Sequence, residues 1–550
     1  MFRKPQFFFF LAALCLQVNS EVCAQQKKVH SQAEPKIVNI VNFIRDIEPR
    51  DSNITKDVLY QTVVNQIRLM KQYHLGGTFL LQYDALIDKR YQELLKTLPE
   101  NEFEIGGWWE LPQQLIEKAG IKWRGKYAWD WHSDVGFSVG YTPAEREKII
   151  DVYFADFKQV FGYYPKSIAS WVIDAHSLNY MYDKYKIVAS GNCKDQVGTD
   201  GFTLWGGYWN QAYYPSRVNA YMPAQHAEKQ LPVPVFRLLG SDPIRQYANG
   251  STVTTLEPVY PQAGGNEQWI NWFFQTFAND PSLGYNYTQA GQENSFTWAA
   301  MKTGLELQMP IIARLRKEGK VRVETMAQSG AWFRKTYKVT PATTFTVSKD
   351  LGESDKKTVW YNSRFYRINL LWENENLRIT DIHLFNETVP DKYLKDITTV
   401  NQSFFYTLPV VDGCQWGKPG KPEGFRLMMN EGGRDVPVNG GNPTFTNVNK
   451  TTARATWQVG KGLFEIDMNE KSISIKAKNN PVGDWFLDLY VADGAKTAFK
   501  TVTDKSAQYE FDGHAYQLQT IQGVMGKTGN GSLYRIRPKG QRIVLALTDH

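Results

Sequence analysis

From about Lys36 to Lys335, short apolar runs alternate with segments whose apolar residues recur at helical spacing. Lys36–Ile44 (KIVNIVNFI) predicts a buried strand, and Asp57–Tyr73 a helix with Val58, Val63, Ile67 and Met70 on one face. Thr78–Gln82 and Phe103–Ile105 predict further strands, the second followed by a helix over Pro112–Lys118. Thr142 as N-cap, Pro143 at the first helical position and Glu145 in the first turn open a helix that runs to Phe161 and stops at Gly162. Strands are expected at Ser167–Ile173, Tyr185–Ser190, Val233–Leu239, Tyr285–Gln289 and Val321–Thr325, with a long helix over Trp298–Lys317. Alternation of this kind implies parallel pairing through right-handed crossovers, and its length suits an irregular seven- or eight-stranded (β/α) barrel.

After about Lys338 the pattern changes. Phe365–Trp372, Arg378–Leu384, Gly462–Met468, Ser472–Ala477 and Ile543–Leu547 predict strands, with Ile473, Ile475 and Ala477 alternating as in a half-solvated antiparallel sheet. Turns such as Glu431-Gly432-Gly433 and Asn439-Gly440-Gly441 separate these runs, the texture of a β-sandwich. The fold class is therefore α/β plus all-β. The expected division is a signal peptide over residues 1–24, a barrel over 25–337 and β-sandwich structure over 338–550.

One stretch breaks both periodicities. Asn192–Pro215 places Phe202, Trp205, Tyr208, Trp209, Tyr213 and Tyr214 among four glycines and two aspartates. Disordered loops are poor in aromatics, so this segment is expected on a rigid frame. A self-packed satellite core is one reading; the favoured one is a cleft wall on the barrel mouth. Trp205 and Trp209 would then stack on sugar rings, with Tyr208 beside them and Asp195 and Asp200 taking hydroxyls.

Composition narrows the rest. Of 550 residues 42% are hydrophobic and 22% charged, a globular balance, and a net charge of +7 spread along the chain argues against a nucleic-acid surface. Arg3 and Lys4, the apolar run Phe7–Leu16 and the small-residue site Val22-Cys23-Ala24 form a secretory signal, so a periplasmic or secreted protein is expected. No later run approaches the ~20 apolar residues of a membrane span. Cleavage leaves Cys193 and Cys414, expected as free buried thiols. Oligomeric state stays open.

Barrel active sites lie at the C-terminal ends of the strands. The expected strand ends carry Asp46 and Glu48; Trp108, Trp109 and Glu110; Asp174 and His176; Asp242; and Glu293, while the loop before Thr142 carries Asp130 and His132. Asp46/Glu48, Asp130/His132 and Asp174/His176 are spaced i, i+2, which in extended backbone puts both side chains on one side. Helix capping or local ion pairing would explain each pair equally well. A glycosidase needs two carboxyl groups in different environments. Asp174 and Glu293 are the preferred couple, with Asp242 next.

The pattern resembles the glycoside hydrolase/deacetylase superfamily of (β/α) barrels over roughly Lys36–Lys335. Asp46-Ile47-Glu48 stands where its polysaccharide deacetylases carry their first acidic motif. Glu104-Ile105-Gly106-Gly107 resembles their His-Glu-Ile-Gly-x-His motif, and Thr142–Pro165 the helix leading to the fourth strand. The central block also resembles a family of exported bacterial proteins, which carries no activity over to this chain. Where the deacetylases place metal-binding histidines, this chain has Phe103, Trp108 and Glu110–Pro112. In the glycosidases of the superfamily a nucleophile follows the fourth strand, which Asp174 matches, and an acid follows a late strand, which Glu293 matches. The resemblance implies a metal-independent glycoside hydrolase acting on a polysaccharide or glycan, without a cofactor. Two alternatives stand beside it. One is a metal-dependent deacetylase-like hydrolase using His132, His176, Asp46 and Asp174 around a divalent cation. The other is a glycan-binding protein without catalysis.

Overall fold

The computed structural model describes residues 34–246, 254–413, 415–418, 420–529 and 531–548. The expected signal segment and Cys414 lie outside the described residues. Residues from Glu34 onward form one compact unit. No described helix is long and apolar enough to cross a membrane.

The barrel is built on β1 (Lys36–Ile44), whose nine residues are all buried. A strand covered on both faces reads as a continuous apolar run, as this one does. It is followed by β2 (Gly77–Leu81), β3 (Phe103–Trp108), β4 (Ser167–Ala169) and β5 (Ala189–Asn192). Next come a hairpin of β6 (Gln196–Thr199) and β7 (Phe202–Trp205), the short β8 (Ala212–Tyr213), and a ribbon of β9 (Pro215–Ser216) and β10 (Asn219–Pro223). Then come β11 (Val235–Arg237), β12 (Asn286–Ala290) and β13 (Arg322–Glu324). Among the described residues the sheet order is β12-β1-β2-β3-β4-β5-β11-β8, with β13 on the first half of β1. Pairing is parallel except where β8 runs antiparallel to β11.

Side chains draw the two ends of this path together. Tyr285 Oη accepts from the Ala212 N–H (2.6 Å) and donates to the Ala212 carbonyl (2.8 Å), while Gln211 donates to Asn286 Oδ1. The result is the nearly closed, irregular barrel that the alternation implied. Helix Pro143–Phe161 has a full capping box between Thr142 and Glu145, and Gly162 ends it at φ 85°. One expected strand start was misplaced: helix Ala175–Tyr185 runs through Tyr185, and β5 begins only at Ala189.

Downstream, the described residues form two large antiparallel sheets. One of ten strands includes Tyr366–Glu373 and Asn376–Leu384; one of eight includes Gly462–Asn469 and Ser472–Lys478. Burial alternates residue by residue along Gly462–Asn469, and the pairs Phe464–Trp485 and Trp372–Phe445 join the two inner faces. This half also reaches back to the barrel mouth, where strand Ser403–Tyr406 pairs in parallel with β7.

Candidate active site

The C-terminal ends of β1, β5, β11 and β12 open into a cavity of about 800 Å³. The β1 end supplies Arg45, Glu48 and Arg50; the β5 end supplies Cys193, Lys194 and Asp195. Phe202 and Trp205 of β7 form a wall with Trp171. Leu239, Glu257 and Tyr260 come from the segment after β11, Glu293 and Ser295 from the segment after β12, and Gln415 from the C-terminal half.

Two carboxyl groups in this cavity stand in opposite surroundings. Glu293 is ion-paired with Arg45 (3.0 Å) and accepts from Ser295 Oγ (2.7 Å). Arg45 lies over the Trp129 ring at 4.1 Å, and its guanidinium also forks onto Glu110 with two 2.8 Å bonds. Burial pushes Glu110 up to about 7, against the pull of Arg45. Glu257 accepts instead from neutral donors, Thr255 Oγ1 (2.7 Å) and Gln292 Nε2 (2.8 Å). Burial raises its pKa above the ordinary glutamate value, and those two bonds and the nearby Lys194 charge only partly oppose this. Gln292 links the pair, because its Oε1 accepts from the Glu293 backbone N–H (2.8 Å).

A buried ionic chain holds the opposite wall. Asp195 accepts from Arg237 (2.9 Å), Tyr221 Oη (2.8 Å), the Gly206 N–H (3.1 Å) and Arg367. Burial alone would raise Asp195; Arg367 and Arg237 instead hold it well below the usual carboxylate range. Arg367 lies in the C-terminal half and also forks onto Asp381 with two 2.9 Å bonds. Trp205 is fixed from the same side by its Nε1–H bond to Asp412 (3.0 Å). The C-terminal sheets thus help to shape this wall.

Among the residues singled out from sequence, Glu48, Asp195, Asp200, Trp205 and Glu293 line the cavity together. Glu48 is forked by Arg50 (2.7 Å twice), and Arg50 reaches Asp200 at 3.6 Å across the rim.

The remaining expectations are corrected by position. Asp174 does not meet Glu293. It is fully buried as the N-cap of helix Ala175–Tyr185, bonded to Ser177 N (2.8 Å), Ser177 Oγ (2.7 Å), Ser138 Oγ (2.6 Å) and Arg146 (2.9 Å). Because a helix starts at Ala175, Asp174 and His176 do not share a face as in a strand; His176 pairs with Glu147 at 3.0 Å. Asp242 caps Ile244 and Arg245 (2.8 Å each) and accepts from Trp269 Nε1 (2.9 Å). Asp46 pairs with Lys56, and Asp130 with the His132 ring.

The aromatics divide in the same way. Trp108 packs between Phe43 (4.1 Å) and Trp171 (4.8 Å), and Trp109 packs on Tyr153 (5.9 Å). Trp209 stacks on Trp360 of the C-terminal half (4.6 Å, 5°), and Tyr208 donates to the Pro341 carbonyl (2.6 Å). The Asn192–Pro215 segment therefore splits: Phe202 and Trp205 face the cavity, while Tyr208, Trp209, Tyr213 and Tyr214 are core. Glu257, Lys194, Arg45 and Arg50 were not among the expected site residues. A carboxylate anywhere in the long segment between β11 and the next helix, rather than directly at the strand end, was the signal for Glu257.

The four groups of the metal alternative do not fit a cation. Each of Asp46, His132, Asp174 and His176 is engaged by a different partner, and no described cluster of three or more His, Cys, Asp or Glu is placed to hold a metal.

No protein-family model matches the chain, and no curated protein sequence does. Among solved structures, the chain is similar to a candidate glycoside hydrolase/deacetylase from Parabacteroides distasonis, at 14% identity and TM-score 0.51, over 71% of this chain and 95% of that one. Candidate polysaccharide deacetylases match at 11% identity and TM-score 0.35. The one from Mycobacterium smegmatis covers 56% of this chain and 92% of its own, and that from Pseudomonas aeruginosa PAO1 covers 55% and 92%. The resemblance to the glycoside hydrolase/deacetylase barrels is borne out as a likeness of fold.

Proposed function

We propose that the protein is a metal-independent glycoside hydrolase in which Glu257 is the acid and Glu293 the nucleophile or base. The observation that carries this is the pair itself: two carboxyl groups facing one cavity, one buried among neutral donors and the other ion-paired with an arginine. Two carboxyls held in different surroundings are suited to divide the acid and base roles, and burial among neutral donors favours the protonated form of Glu257. Glu257 would give its proton to the glycosidic oxygen as the bond breaks. Glu293 would attack the anomeric carbon or deprotonate a water that does so. Arg45, fixed by Glu110 and stacked on Trp129, positions Glu293. Trp171, Phe202 and Trp205 offer rings to sugar faces, and the fold likeness to a candidate glycoside hydrolase/deacetylase supports a glycan substrate. The residues at Arg3–Ala24 support export, which would put that substrate outside the cytoplasm.

The test is product formation from a panel of polysaccharides by the full chain, Glu257→Gln and Glu293→Gln. Turnover by the native chain, lost in both variants at unchanged melting temperature, is the expected result. Undiminished turnover by either variant removes that residue from the mechanism. Glycan binding without product would leave the non-catalytic reading.

A further inference from the structure

We propose that Lys194 recognises an anionic group on the substrate, so that the cavity takes an acidic glycan; this deepens, and rests on, the glycan-cleaving reading above. Three cations line the cavity, and two are committed. Arg45 is shared by Glu110 and Glu293, and Arg50 by Glu48 and Asp200. Lys194 differs. Among the described residues its ammonium makes one hydrogen bond, to the Asp195 carbonyl (3.0 Å), and no ion pair.

The neighbouring carboxylates do not supply its counter-charge. Both Asp195 oxygens are occupied by Arg237, Tyr221, Arg367 and the Gly206 N–H. Glu257 feels the Lys194 charge but directs its hydrogen bonds to Thr255 and Gln292.

The position is a built one. Lys194 stands two residues past the end of β5, between the buried Cys193 and Asp195, so its backbone is held while its half-buried side chain faces the cavity. An ammonium drawn partly out of water without a counter-ion is costly, and an incoming anion offsets that cost. Lysine is a compact point charge with three donors, two of them free here, which suits a carboxylate or a sulfate ester. Neutral hydroxyls have other partners at hand in Gln196, Gln246, Tyr260 and Gln415.

The experiment is a glycan array carrying neutral, uronate-bearing and sulfated glycans. It is probed with the full chain, Lys194→Met and Lys194→Arg, each checked for an unchanged melting temperature. The expected result is binding concentrated on acidic glycans and weakened by salt. It should fall about tenfold or more in Lys194→Met, the scale of one charge-assisted contact, and be retained in Lys194→Arg. The uronate and sulfate arms identify the anionic group. Equal binding of neutral glycans, equal loss on neutral and acidic glycans in Lys194→Met, or no binding to the array overturns the inference. Because the array reads binding alone, acidic binding without product removes the hydrolase reading and leaves this one. Cleavage confined to neutral glycans does the reverse.

Discussion

The two sides of the barrel mouth start from similar residues and end differently. Past β3 and β4 stand Glu110, Asp174 and His176, with Trp108 and Trp109 at the end of β3; past β1, β5 and β12 stand Glu48, Asp195 and Glu293, with Trp205 nearby. On the first side the polar groups are consumed by the protein itself. Arg146 fills Asp174, bonds the Tyr393 carbonyl, and so ties the barrel to the C-terminal half. On the second side the carboxylates are also paired, but around an open cavity rather than inside a closed contact. A carboxylate after a strand is thus not a signal of chemistry in itself. What decides is whether the contact around it is sealed on all sides, as at Asp174 under Arg146 and the helix start at Ala175, or borders open space, as at Glu48, Asp195 and Glu293.

The largest effects should separate these sides. Glu293→Gln is expected to lower turnover by about 10²–10⁴-fold, the range for removing a positioned proton-transfer or nucleophilic group, with the melting temperature unchanged. Asp174→Asn should do the opposite. It keeps a side chain able to cap the helix but strips the counter-charge from a fully buried Arg146, at a cost of about 3–5 kcal/mol in stability. The folded fraction should keep its activity. Denaturant unfolding of both variants beside turnover per folded molecule checks this. An Asp174→Asn protein that is stable yet inactive would erase the distinction between the two sides.

This contrast also shows how far the sequence is legible. The all-buried run of β1 and the helix start at Thr142, Pro143 and Glu145 are local signals that the structure keeps. Along Ile473–Ala477 the expected alternation is incomplete, because Ser474 is buried with its apolar neighbours and only Lys476 is exposed. Glu48 and Glu293 stand at strand ends, where barrel geometry directs attention, and Asp195, Asp200 and Trp205 lie in the aromatic segment that breaks both periodicities. All five line the cavity, though the Asp195 oxygens are filled by protein donors rather than left for hydroxyls. Asp174 was misread because its fate depends on Arg146, 28 residues earlier in the chain and brought in by packing. Trp209 was misread because its partner, Trp360, comes from the C-terminal half. Glu257 was missed because it arrives from the interior of a long segment rather than from a strand end. No periodicity encodes which long-range neighbour will cover a side chain.

Proton affinity separates the cavity's own walls. If Glu257 is the acid, kcat/KM falls on the alkaline side as it loses its proton, at a pH above the ordinary glutamate value of about 4.3. Gln292→Leu removes a bond that favours the charged form, so that limb should move further up. A limb that stays in place would detach Glu257 from the reaction. Asp195 works in the other direction. Its native pKa is depressed below the unfolded value of about 3.9, so the stability it contributes is present above that pH. It is lost as the pH falls toward the native value. Asp195→Asn should therefore flatten the acid limb of a melting-temperature profile and leave the neutral region lowered.

The smallest effect is expected at the rim, where Arg50 reaches Asp200 across the cavity mouth. Both side chains are about one-third exposed and 3.6 Å apart, and Arg50 keeps its fork onto Glu48 when Asp200 is neutralised. Water screens such a pair, so Asp200→Asn should cost less than about 1 kcal/mol of stability. Its effect should appear in KM, since the rim loses a contact that narrows the entrance, while kcat stays with Glu257 and Glu293. Melting and steady-state kinetics on the same preparation decide the matter. A stability loss as large as that of Asp174→Asn would mean that the rim, like the β4 side, is a structural joint. The comparison would then rest on the cavity floor alone.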